Sequence, residues 1–189
     1  NMTERKCLNL IKKDWEIISS NPNLLDKAKA WYPTEHDFSK ELSDKYNLDL
    51  KQISGLYAAF SPLKSVSENK KILINFLKGS RYGHTGRQID KAELILKTSQ
   101  FKEIEVILGG MKTQAFYRHI YNPLDKEVTC IDRHCIKYFN QGEMPCITPN
   151  RYNMYSNTIK RWSDKVNMYP SEIQATVWLY SKQKYGINV

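Results

Sequence analysis

The stretch from Glu105 to Phe139, EVILGGMKTQAFYRHIYNPLDKEVTCIDRHCIKYF, sets a lysine at a glycine-rich turn twenty residues ahead of an aspartate. In Phe101 to Leu108 (FKEIEVIL) the apolar residues fall three and four apart, which predicts a short helix ended by Gly109 and Gly110. Thr113 to Tyr121 predicts a second helix with Phe116, Tyr117 and Ile120 on one side. The N–H groups at its start have no partner within the helix, so Gly109, Gly110 and Thr113 frame an expected phosphate seat. A loop through Asn122 and Pro123 follows. Val128-Thr129-Cys130-Ile131 is too short to be a strand of consequence, and it delivers Asp132 to the start of a third helix, where a carboxylate is an expected cap.

Outward from this stretch the chain predicts helix after helix. Leu8 to Ile18 is amphipathic, with Leu10, Ile11, Trp15 and Ile18 inward, and Asn21-Pro22 breaks it. Leu24 to Tyr32 is a helix that Pro33 stops, and Thr34-Glu35-His36-Asp37 caps the next, which carries Phe38 and Leu42. Asp49 opens Leu50 to Phe60, and Val66 to Leu77 follows after Ser61-Pro62. Lys78 to Arg87 is irregular, three glycines among cations that include Arg81 and Arg87, a loop able to lie against phosphates. Gln88 to Lys97 is helical, Asn140 to Asn150 is a loop, and Arg151 to Val166 and Ser171 to Lys184 are helices, the last with Ser171 as its cap. No strand alternation, internal repeat or low-complexity tract stands out, so the expected fold is all-α. Met2 follows one residue, so Asn1 is expected to be a remnant ahead of the natural start.

With 29 Lys and Arg against 20 Asp and Glu, the net charge is +9 and the excess is spread along the chain, which favours a polyanionic partner. Cys7, Cys130, Cys135 and Cys146 form no paired framework, and no secretory or membrane-spanning run is present; reduced thiols in the cytoplasm and no membrane partner are expected. Zinc on Cys130, His134 and Cys135 would need ligands leaving one helix at awkward spacing, so no metal is expected.

Gly110, Lys112, Thr113, Ile131, Asp132 and His134 together resemble the signature of the helix-hairpin-helix DNA glycosylases, a hairpin like L-P-G-V-G-x-K-T-A followed about nineteen residues later by V-D-x-H. The hairpin departs from that pattern: the proline is absent and G-V-G is shortened to Gly109-Gly110-Met111. Near the C-terminus, Gln174-Ala175-Thr176-Val177-Trp178 is similar to the Q-A-x-x-aromatic helix of the 8-oxoguanine glycosylase branch. Phe116, four residues after the lysine, takes the position of the opposite pocket wall. The stretch GLYAAFSPLKSVSENK resembles the part of these enzymes where an apolar helix ends at a loop that enters DNA and the next helix carries an asparagine, which would give Lys64 and Asn69 to DNA contact. The compact, lysine-rich sequence is also similar to phage-encoded members, placing it in a bacterial or phage-infected cell.

The resemblance implies one glycosylase-like domain over residues 1–189, made of a helical lobe (1–48 with 149–189) and a helix-hairpin-helix lobe (49–148) flanking a cleft. It implies a monomer on double-stranded DNA with one base flipped out, and no cofactor, since no cluster-forming cysteines lie beyond Cys146. Phe116 and Trp178 would sandwich the base while Gln174 reads its edge; Gln174 and Trp178 share a helix face. Lys112, its pKa lowered by partial burial, would be the nucleophile of excision and of an abasic-site lyase step. Asp132 would stabilise the cationic sugar or activate the nucleophile. Two alternatives are an enzyme that modifies or exchanges hypermodified bases in phage DNA, and a non-catalytic protein that uses the hairpin for phosphate contacts alone.

Overall fold

The computed structural model describes residues 2–186, so Asn1 lies outside them. It is all-helical: α1 (Glu4–Ser19), α2 (Pro22–Tyr46), α3 (Leu50–Ala59), α4 (Val66–Leu77), α5 (Gly86–Ile95), α6 (Phe101–Leu108), α7 (Met111–Tyr121), α8 (Arg133–Phe139), α9 (Pro149–Val166) and α10 (Pro170–Tyr185). No strand occurs among the described residues. They form two compact units, one of residues 2–33 with 123–186 and one of residues 34–122. These limits differ from the expected ones at 48 and 148, and they put α8 with the terminal helices.

In the first unit, α8 packs on α10 and α9 on α1 and α10. Phe139 lies flat against Tyr155 at 5.3 Å, Tyr138 donates to the buried Asp14 carboxylate at 2.8 Å, and Cys7, Ile11, Ile136, Ile159 and Val177 close the core around them. Burial of this apolar surface is what holds such short helices, since α8 has seven residues and would not persist alone.

In the second unit α3 is the hub, packed on α4, α5, α6 and α7 and buried from Gln52 to Ala59. Asp49 caps it as expected, with Gln52 completing the capping box. Gly55 permits the crossing of α6: a Cβ there would lie 2.6 Å from Ile104 Cγ2, closer than carbon atoms can approach.

Three expectations about helix ends are corrected. Pro33 does not stop a helix; α2 runs through it for 25 residues, with the exposed ring costing one internal hydrogen bond rather than the element. Consequently Thr34-Glu35-His36-Asp37 is not a cap, and Glu35 is a mid-helix carboxylate only 4% exposed. Ser171 does not cap α10 either: Tyr169 holds that position, and the Ser171 hydroxyl donates to the Pro123 carbonyl at 2.7 Å.

Candidate functional site

α6 and α7 are joined by Gly109-Gly110 alone. Gly109 has φ of +80°, which a side chain would strain, and its N–H bonds the Glu105 carbonyl. The end of α6 is tied down by side chains of its own unit. Gln114 Nε2 donates to the Glu105 carbonyl at 2.9 Å, Lys91 Nζ donates to the Leu108 carbonyl at 3.0 Å, and Arg118 approaches the Glu105 carboxylate at 3.7 Å. Desolvation, with Arg87 nearby, lowers the Lys91 pKa. The start of α7 has no side-chain cap and no acidic residue in its first turn. Lys112 stands there, exposed; the partial burial expected of it is not found. Phe116, one turn further on, is half-buried with its ring edge-on to Tyr57 at 5.4 Å.

Asp132 caps α8, its Oδ1 accepting from the Cys135 N–H at 2.9 Å. The extended segment before it is fixed by Tyr152, whose hydroxyl donates to the Thr129 carbonyl at 2.8 Å and accepts from the Ile131 N–H at 3.1 Å. Asp132 is half-buried among groups that burial holds protonated: the thiol of Cys135 and the hydroxyls of Tyr32 and Tyr152 all have raised pKa values, and the charge of Asp132 adds to each shift. His134 is pushed the other way, below the ordinary histidine value, by burial, with Asp132 opposing and Arg133 assisting.

Gln174 is 4% exposed and its amide oxygen is already occupied. Oε1 accepts from the Tyr32 hydroxyl at 2.7 Å and Nε2 lies 3.7 Å from the Cys135 sulfur. Trp178 is half-buried, edge-on to Trp31 at 5.6 Å, with the Lys182 ammonium 4.2 Å above its ring. The first unit therefore gathers Asp132, Gln174 and Cys135, while Lys112 and Phe116 belong to the second. A recess of about 580 Å³ in the first unit, lined by Asn21, Asn23, Leu24, Asp26, Lys27 and Gln183, contains none of them.

The residues expected at DNA divide. Gly109, Gly110 and Arg87 are exposed, and Lys64 and Thr113 are half-buried. Asn69 is 3% exposed and donates to the Tyr57 carbonyl at 3.1 Å, a bond that joins α4 to α3. Arg81 has its guanidinium on the Glu93 carboxylate and the Phe76 carbonyl, stacked 4.1 Å over the Phe76 ring. Both therefore serve the fold as they stand. Sequence reasoning missed a buried polar cluster in the second unit: Glu35 accepts from the Tyr57 hydroxyl and pairs with Lys70 Nζ at 2.8 Å. Nothing in the pattern around Glu35 signals burial, because the helix through Pro33 was not legible.

Among the described residues no three His, Cys, Asp or Glu side chains gather where they could hold a metal ion, and no helix is long and apolar enough to cross a membrane. Fold and site together define an all-helical protein of two units with a glycine turn and a helix-capping carboxylate at its two most distinctive positions. Residues 1–185 match a family of unknown function (DUF7178), and the chain belongs to that family. Comparison with curated proteins and with solved structures gave no match.

Proposed function

We propose that the protein is a DNA N-glycosylase with an abasic-site lyase step, acting on a modified or damaged base flipped from double-stranded DNA by a helix-hairpin-helix scaffold. The observation that carries the reading is Lys112: an accessible amine in the first turn of a helix that two glycines introduce and no side chain caps. Backbone N–H groups there suit a phosphate oxygen, and the dipole of α7 favours the anion. The nitrogen of Lys112, once neutral, adds to C1′ as the bond to the base breaks; the base leaves with the bonding pair and takes a proton. The Schiff base that results permits loss of the 3′ phosphate by β-elimination. Asp132, held by the Cys135 N–H, supplies the negative charge that a cationic sugar requires.

A panel of duplexes, each with one altered base, tests this. One member should become alkali-labile with the protein, and Asp132→Asn should lose that activity while keeping its affinity. A panel in which no duplex is cut overturns the reading. Binding without scission would instead support a non-catalytic protein that grips phosphates through the glycine turn, which the internal hydrogen bonds of Gln174 and Asn69 favour.

A further inference from the structure

Thr129, Cys130 and Ile131 are buried in an extended stretch that no strand accompanies among the described residues. Backbone N–H and C=O groups in such a place need partners, and helices offer them none to spare. One side chain supplies two. The Tyr152 hydroxyl, near the start of α9, donates to the Thr129 carbonyl at 2.8 Å and accepts from the Ile131 N–H at 3.1 Å. A hydroxyl can do this because it is donor and acceptor at once, and it bridges positions i and i+2 as one residue of a parallel strand would.

Packing alone would be served by phenylalanine, as Phe139 in the same core shows. Burying a hydroxyl is costly unless it is bonded, and both bonds of Tyr152 go to the three residues ahead of Asp132. The hydroxyl therefore acts on that segment and on what the segment delivers.

What it delivers is the carboxylate of Asp132. The Asp132 backbone, extended at φ of −96° and ψ of 178°, follows directly on the Ile131 N–H that Tyr152 holds, and Oδ1 is committed to the Cys135 N–H at 2.9 Å. With Oδ1 spent in the cap, Oδ2 is left to face a cationic sugar. A twist of the chain ahead of Asp132 would swing Oδ2 with α8 left intact, and a displacement of about 1 Å is enough to cost up to about a hundredfold in rate.

We propose that Tyr152 is a positioning residue for Asp132: its hydroxyl, bridging Thr129 and Ile131, holds the carboxylate in the orientation in which Oδ2 meets the substrate. The effect on rate rests on the proposed function, whereas the hold on Asp132 is a property of the free protein.

The test compares Tyr152→Phe with Tyr155→Phe in the full chain. Tyr155 is buried on the same helix, and its hydroxyl accepts from Asn140 Nδ2 at 2.8 Å, so its variant loses a comparable bond outside the 129–132 segment. Both variants should melt below wild type. In the free protein, amide hydrogen exchange at Ile131 and at Cys135 should quicken about tenfold in Tyr152→Phe and stay near wild type in Tyr155→Phe. On a duplex that the protein cuts, single-turnover excision should fall about tenfold in Tyr152→Phe with the Kd for the duplex unchanged, and should hold in Tyr155→Phe. A wild-type rate from Tyr152→Phe, equal losses from the two variants, or Cys135 exchange that quickens no more in Tyr152→Phe than in Tyr155→Phe overturns the proposal. Should wild type cut no duplex, the glycosylase reading falls, while quickened exchange at Cys135 still upholds the hold of Tyr152 on Asp132 and unquickened exchange overturns it.

Discussion

The Tyr32 hydroxyl donates to Oε1 of Gln174 at 2.7 Å, with Tyr32 3% and Gln174 4% exposed. The residue expected to read a base thus has its acceptor committed inside its own unit, and only Nε2, shared with the Cys135 sulfur, retains an N–H to offer. Burial raises the Tyr32 pKa, with the charges of its neighbours, Asp132 among them, adding to the shift, so the hydroxyl remains a donor into the alkaline range as well.

Tyr32→Phe leaves that amide oxygen buried without a donor. A loss of about 1–2 kcal/mol is expected in urea unfolding at unchanged m-value. An unfolding midpoint equal to wild type would mean that the bond contributes nothing net.

Removing either member of the Glu35–Lys70 pair should have unequal effects. Lys70→Met leaves a carboxylate 4% exposed with only Tyr57 for company, whereas Glu35→Gln keeps the acceptor for Tyr57 and lets a lysine whose side chain is 29% exposed turn to water. The lysine variant should lose about 2 kcal/mol, discounted from a fully buried pair for that exposure, and the glutamine variant less than half as much. Thermal melts of the two variants check the order.

His134 makes stability depend on pH in one window. Burial holds its folded pKa below the ordinary value, so as pH falls past about 6.5 the unfolded chain takes up a proton that the folded one does not. Its contribution is whole above that point and is lost as pH drops toward the depressed value, after which the curve flattens. Urea midpoints between about pH 7.5 and about pH 5 should show this segment, and His134→Gln should remove it. Asp132→Asn, which takes away the opposing charge, should deepen it.

Much of the helical layout was legible. α4 and α6 have the limits read from the sequence, with Gly109 ending α6, and Asp49 and Asp132 cap α3 and α8 as their positions suggest. Pro33 misled because proline is a helix stop only when nothing else sustains the helix, and tertiary burial of Leu24, Ala28, Tyr32 and Glu35 sustains this one. Helix limits say little about which polar groups spend their hydrogen bonds internally. Asn69, Arg81 and Gln174 all look available in sequence, yet each has a partner brought near by packing. Tyr152 reads as one more aromatic of its helix, and its bridge between Thr129 and Ile131 appears only in the folded chain.

The most direct test of the central claim, that the Lys112 amine is a nucleophile, is borohydride trapping on duplexes with an abasic site or an excisable base. A covalent protein–DNA band that disappears in Lys112→Ala, while that variant still binds the duplex, is the expected result. A band of equal strength from Lys112→Ala, or none from wild type on any substrate that it binds, contradicts it.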